Sequence, residues 1–192
     1  MMKLMRIFTR YASFLSALLM SFSFTNKDTI EVATSKNIYD YSFTTIEGKK
    51  VKLSDYKGKK LLIVNTASFC GYTPQYEALE KIAEMYKDKL VVLGFPANDF
   101  GFQEPESNKK IKEFCTKNYH VSFTLSEKVK VKGDSMTPIY QWLTKKELNG
   151  KMDSHVKWNF QKYLIDENGN YVQMFGSKIT PDSKEITDLI EK

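Results

Sequence analysis

The chain has 192 residues, 42% of them hydrophobic and 27% charged. That composition suits one folded domain with a proper core and excludes a disordered polymer. The formal charge of +6 includes Lys3, Arg6 and Arg10 near the N-terminus, and the other lysines are interspersed with acids. Such spacing reads as a solvated surface and argues against nucleic-acid binding. Two cysteines lying 45 residues apart and two histidines lack the short-range spacing of a metal site.

Residues 1–23 read as an export signal. A basic stretch precedes a 16-residue uncharged run, Tyr11 to Asn26, shorter than the roughly 20 residues a membrane-spanning helix needs. Ser21-Phe22-Ser23 places small residues where a signal peptidase reads, so cleavage is expected after Ser23 and a periplasmic or secreted location follows. Organelle targeting and an uncleaved anchor are the alternatives. Residues 24–36 read as a linker, and the folded domain is expected over 37–192.

Alternation from Ile38 to Phe43, the turn Glu47-Gly48-Lys49 and Val51 to Leu53 predict a β-hairpin. Leu61 to Ala67 is a continuous apolar run suited to a buried strand. A helix is expected from about Thr73-Pro74, with Thr73 as N-cap and Pro74 at its first position. Its apolar face carries Tyr76, Leu79, Ile82, Ala83 and Tyr86. Leu90 to Phe95 predicts a second buried strand, so the strand–helix–strand unit forms a right-handed parallel crossover. Further helices are expected at Ser107 to Asn118, with Ile111, Phe114 and Cys115 inward, and at Pro138 to Lys146. Phe160 to Asp166 and Tyr171 to Phe175 flank Asn168-Gly169, a strong hairpin signal, and a last helix is expected over Pro181 to Glu191.

This order predicts an α/β, thioredoxin-like fold: a central mixed sheet flanked by helices, with an N-terminal β-hairpin. Cys70 then follows one parallel strand and the loop Ala97 to Glu104 follows the next. Both lie at carboxyl ends of strands, where open α/β sheets gather their ligands. An antiparallel strand starting near Phe160 brings Trp158 and Asn159 to the same edge. A thiol near a helix N-terminus faces unpaired N–H groups that favour the nucleophilic thiolate. Taken singly, Cys70 also reads as a buried hydrophobe, Trp158 as a core aromatic, Asn159 as a turn residue and Gln103 as a solvated loop residue.

Three motifs in order resolve that choice. Asn65-Thr66-Ala67-Ser68-Phe69-Cys70-Gly71-Tyr72-Thr73 resembles the active-site stretch of glutathione peroxidases; Leu93 to Pro105 resembles their second motif and Trp158-Asn159-Phe160 their third. The resemblance implies a thiol peroxidase that reduces hydrogen peroxide and organic or lipid hydroperoxides. Cys70 would be the peroxidatic residue, in a tetrad with Gln103, Trp158 and Asn159, none of which is a strong base. Cys115 occupies the place of the resolving cysteine in thioredoxin-using members, so a Cys70–Cys115 disulfide is implied, with local unwinding of the helix that carries Cys115. No bound cofactor or metal is implied; the co-substrate is thioredoxin or a thioredoxin-like dithiol, and glutathione specificity is not expected.

Two departures from the family pattern stand out. Ala97 occupies a position where many relatives have a further cysteine, and Asp99 replaces a more usual glutamine, read here as a surface-loop residue. The short stretch between Leu143 and Trp158 implies a monomer or weak dimer with an open site and transient contact with membrane lipid. Three rival readings remain: an exported binding module with a static Cys70–Cys115 staple, a cysteine hydrolase using Cys70, His155 and Asn159, and a redox sensor passing oxidation to a partner.

Overall fold

The computed structural model describes residues 37–192. The expected export signal (1–23) and linker (24–36) lie outside the described residues. Asn37 accepts a hydrogen bond from the Tyr39 N–H and starts a short 3-10 turn over Ile38–Asp40. The predicted strand therefore begins later than the alternation suggested. β1 (Ser42–Thr44) and β2 (Lys50–Lys52) form the antiparallel hairpin, with Phe43 opposite Val51.

β3 (Lys60–Thr66), α1 (Gln75–Met85) and β4 (Leu90–Pro96) make the parallel crossover. α2 (Asn108–Tyr119) follows, then β5 (Thr124–Leu125), α3 (Pro138–Thr144) and α4 (Lys146–Asn149). The predicted third helix breaks at Lys145, whose backbone is extended. β6 (Lys162–Ile165) and β7 (Tyr171–Phe175) form the C-terminal hairpin, and α5 (Lys184–Glu191) closes the chain. Pro181 lies in a turn before α5, where the Ser183 N–H donates to the Thr180 carbonyl.

The main sheet has the order β5-β4-β3-β6-β7. β3 runs parallel to β4 and antiparallel to β6. The α/β, thioredoxin-like arrangement predicted from element order is what forms. Side chains on β3 alternate between two cores. Leu61 and Ile63 join Phe95, Tyr140, Leu143 and Tyr163 on the α3 side, while Leu62 and Val64 join Leu79, Ile82, Ile111 and Ile186 on the opposite side. A strand buried on both faces explains its continuous apolar run.

β5 is too short to announce itself in sequence, and Gly94 lets it approach. A Cβ at Gly94 would sit 2.6 Å from Leu125 Cδ2. Among the described residues, no helix is long and apolar enough to cross a membrane.

Candidate active site

β3 ends at Thr66, and four residues later the chain reaches Cys70. A small hydrogen-bond web braces this turn. The Cys70 N–H donates to Thr73 Oγ1 (3.0 Å), the Thr73 hydroxyl donates to the Ala67 carbonyl (2.8 Å), and the Thr73 N–H donates to the Cys70 carbonyl (2.9 Å). Thr73 is therefore a turn brace and not the predicted N-cap. Pro74 takes the capping position without a side-chain bond, and α1 starts at Gln75. The Cys70 side chain is buried, with its sulfur 3.4 Å from the Tyr72 N–H, which donates to it.

The loop after β4 packs against this turn. The Phe69 N–H donates to the Gln103 carbonyl (3.0 Å), linking the residue before Cys70 to the second motif. Gly101 and Phe102 both adopt left-handed backbone, which swings the loop back and leaves the Phe102 ring 82% exposed. Asp99 differs from its sequence reading. Its carboxylate is buried, accepting the Val131 N–H at 2.7 Å and pairing with the Lys130 ammonium at 3.0 Å. Its charge is thus committed to the 130–131 segment, where a surface-loop residue had been expected.

The third motif arrives through Asn65 on β3. Its side-chain amide donates to the Trp158 carbonyl (3.0 Å), and its own carbonyl accepts the Phe160 N–H (2.6 Å). Asn159 is wholly buried and its amide donates to Gln103 Oε1 at 2.9 Å. The partly exposed Trp158 ring packs on Phe100, centroids 5.7 Å apart. The structure thus brings Cys70, Gln103, Trp158 and Asn159 to one edge of the sheet. Gln103 and Asn159 touch directly, and Gln103 meets the Cys70 turn through its backbone.

Cys115 lies on the inner side of α2 with no exposure, and both cysteines are free thiols. No Cys70–Cys115 staple is present. Burial pushes the Cys115 thiol up to about 11, partly offset by the neighbouring Tyr76 hydroxyl. An aromatic chain leads to that tyrosine: Phe69 to Phe114 at 6.2 Å, Phe114 to Tyr119 at 5.8 Å, and Tyr119 to Tyr76 at 5.4 Å. The hydrolase arrangement fails on geometry. His155 is exposed and the Asn159 amide is turned to Gln103, whereas such triads are defined by mutual contact.

Two buried ionisable side chains escaped the sequence reading. Glu104 has no exposure, and its Oε2 accepts the Ser68 hydroxyl at 3.2 Å. Burial lifts its carboxyl to about 7, against the lowering effect of Ser68 and Lys128. Lys162, also without exposure, donates to Gln75 Oε1 and to the carbonyls of Ser177 and Ile179, and burial lowers it to about 7. Beside Trp158 opens a cavity of about 590 Å³ walled by Tyr72 and Ile179, with Lys157 and Lys178 on its lining.

Comparison with known proteins places this geometry. The glutathione peroxidase family model matches residues 38–144. A glutathione peroxidase of Lactococcus lactis is 49% identical over 150 residues, covering 78% of this chain and 95% of that protein. A hydroperoxy fatty acid reductase of Synechocystis is 44% identical over 166 residues, covering 82% of this chain and 96% of that protein. Among solved structures, Trgpx in its apo form superposes with a TM-score of 0.63 at 35% identity, covering 83% of this chain and 98% of that one. With three motifs at one sheet edge and relatives matched almost end to end, the chain is a peroxidase with a thioredoxin-like fold and belongs to the glutathione peroxidase family.

Proposed function

We propose that this chain reduces hydrogen peroxide and organic or lipid hydroperoxides through a two-cysteine cycle. The Cys70 thiolate attacks one peroxide oxygen, the O–O bond breaks, an alcohol or water departs, and Cys70 becomes a sulfenic acid. Cys115 loses its proton and attacks the Cys70 sulfur. The hydroxyl leaves as water and a disulfide forms. A thioredoxin-like dithiol then restores both thiols by exchange. The observation that carries this reading is the Asn159–Gln103 hydrogen bond beside the Cys70 turn. A fixed pair of amides, neither of them a strong base, offers donors to charge developing on oxygen.

The cavity beside Trp158, with apolar walls and two lysines, supports access for bulky hydroperoxides that carry an acidic group. The name of the Synechocystis relative points the same way. We also propose that residues 1–23 direct export and that the domain acts as a monomer or weak dimer in transient contact with lipid. Export would call for a dithiol donor in the receiving compartment.

The deciding experiment follows peroxide consumption by the full chain with thioredoxin or glutathione as donor, beside Cys115→Ser. Turnover with thioredoxin that collapses in Cys115→Ser supports the cycle. Turnover with glutathione that survives the substitution overturns the reductant and the resolving role. No consumption with either donor overturns the reading of Cys70.

A further inference from the structure

The segment Gln103–Glu104 grips the residues before Cys70 at two successive points. The Gln103 carbonyl holds the Phe69 N–H, and the Glu104 carboxylate holds the Ser68 hydroxyl. The grip is anchored from behind. The Glu104 N–H donates to Asn98 Oδ1 (2.9 Å), and the Lys128 ammonium donates to the carbonyls of Glu104, Pro105 and Glu106 (3.3, 3.2 and 2.7 Å). The other carboxyl oxygen, Oε1, is buried with no hydrogen-bond partner. A carboxyl kept dry and half-satisfied costs stability. A side chain with only a packing task would be better served there by an apolar group.

We propose that Glu104 is a positioning residue for the peroxidase reaction, fixing the Cys70 turn against Gln103 through Ser68. The inference rests on the peroxidatic reading of Cys70. It adds a fifth side chain, one that acts on the reacting sulfur through its neighbour. The ionised carboxylate makes a charge-assisted bond to Ser68, roughly twice as strong as one between neutral groups. Glu104 titrates near 7 because burial outweighs its partners, so the grip tightens as pH rises through neutrality. The ionisable groups acting on it are Lys128 and Glu106; across the packed interior it in turn acts on Tyr76 of α1 and Cys115 of α2.

The test is single-turnover oxidation of Cys70 by hydrogen peroxide in the full chain across pH 5 to 9, read by trapping the sulfenic acid. The variants are Glu104→Ala, Glu104→Gln and Ser68→Ala, with Cys70→Ser as blank. Glu104→Ala is expected to slow oxidation about ten- to a hundredfold, the scale of a misplaced reacting group. Glu104→Gln still accepts from Ser68, so it should recover most of the rate at neutral pH. It should lose the inflection near pH 7 that Glu104 is expected to give the wild type. Ser68→Ala should slow the reaction even where Glu104→Ala fails to fold. Variants that match the wild type in rate and in pH profile overturn the role of Glu104. A wild type that forms no sulfenic acid overturns the reading of Cys70 instead.

Discussion

At the scale of single residues, the site depends on who holds the amides. Asn159 has no exposure and commits one of its two amide N–H groups to Gln103, so removing it frees the Gln103 side chain and takes away the second N–H. Asn159→Ala is expected to lower kcat/KM for peroxide about a hundredfold, the range seen when an oxyanion-type donor is lost; steady-state kinetics with a saturating dithiol would check it. Gly94 illustrates a different constraint. A methyl there would meet Leu125 at 2.6 Å. Gly94→Ala should therefore cost about 1–3 kcal/mol by overpacking, measurable by urea unfolding.

In the proposed cycle, elements decide when the second thiol becomes reactive. Cys115 inside folded α2 sits at about 11, so it is ionised to roughly one part in ten thousand at pH 7. If α2 opens before Cys115 attacks, the thiol meets water and regains its ordinary value of about 8.5. Disulfide formation after a peroxide pulse is accordingly expected to rise with pH around a midpoint near that ordinary value. A midpoint near 11 would mean attack from the intact helix. Cutting the aromatic contacts of α2 should act on the same step. Phe114→Ala removes the contact with Phe69 and with Tyr119, and it should speed disulfide formation severalfold while leaving Cys70 oxidation alone. Rapid-quench alkylation distinguishes the two steps.

For the whole molecule, the buried charges set opposing pH dependences. The Glu104 carboxyl is raised in the fold, so the stability it contributes is complete below its unfolded value and is lost as pH rises through about 7. Lys162 is lowered, so its contribution is present above its unfolded value and is lost as pH falls from about 10.5 towards 7. Glu104→Gln should therefore melt higher than wild type at pH 8, with the advantage shrinking towards pH 5. Calorimetry at the two pH values checks the sign.

Much of this architecture was legible in the chain. Continuous apolar runs marked β3 and β4, Asn168-Gly169 marked the C-terminal hairpin, and motif order placed Cys70, Gln103 and the Trp158-Asn159 pair at one edge. What escaped detection was polar and buried. Glu104 and Asp99 sit in a hydrophilic loop whose composition says surface, and only the fold reveals that Ser68, Val131 and Lys130 enclose them. Lys162 carries a charge and stands beside polar Gln161, which says surface, yet the Ser177 and Ile179 carbonyls accept from its ammonium in the interior. Helix starts shifted for a related reason: Thr73 had the chemistry of a cap, but its hydroxyl was taken by the Cys70 turn.

The burial of Cys115 inside α2 has a temporal consequence on the proposed cycle. Until α2 opens, the sulfenic acid waits, and a second peroxide molecule competes with Cys115 for the same sulfur. The winner is decided by peroxide concentration against the opening rate of one twelve-residue helix. At low peroxide every turnover closes as a disulfide. Above the peroxide concentration at which that second attack outruns the opening, the sulfur would be driven on to sulfinic acid and the enzyme would switch itself off.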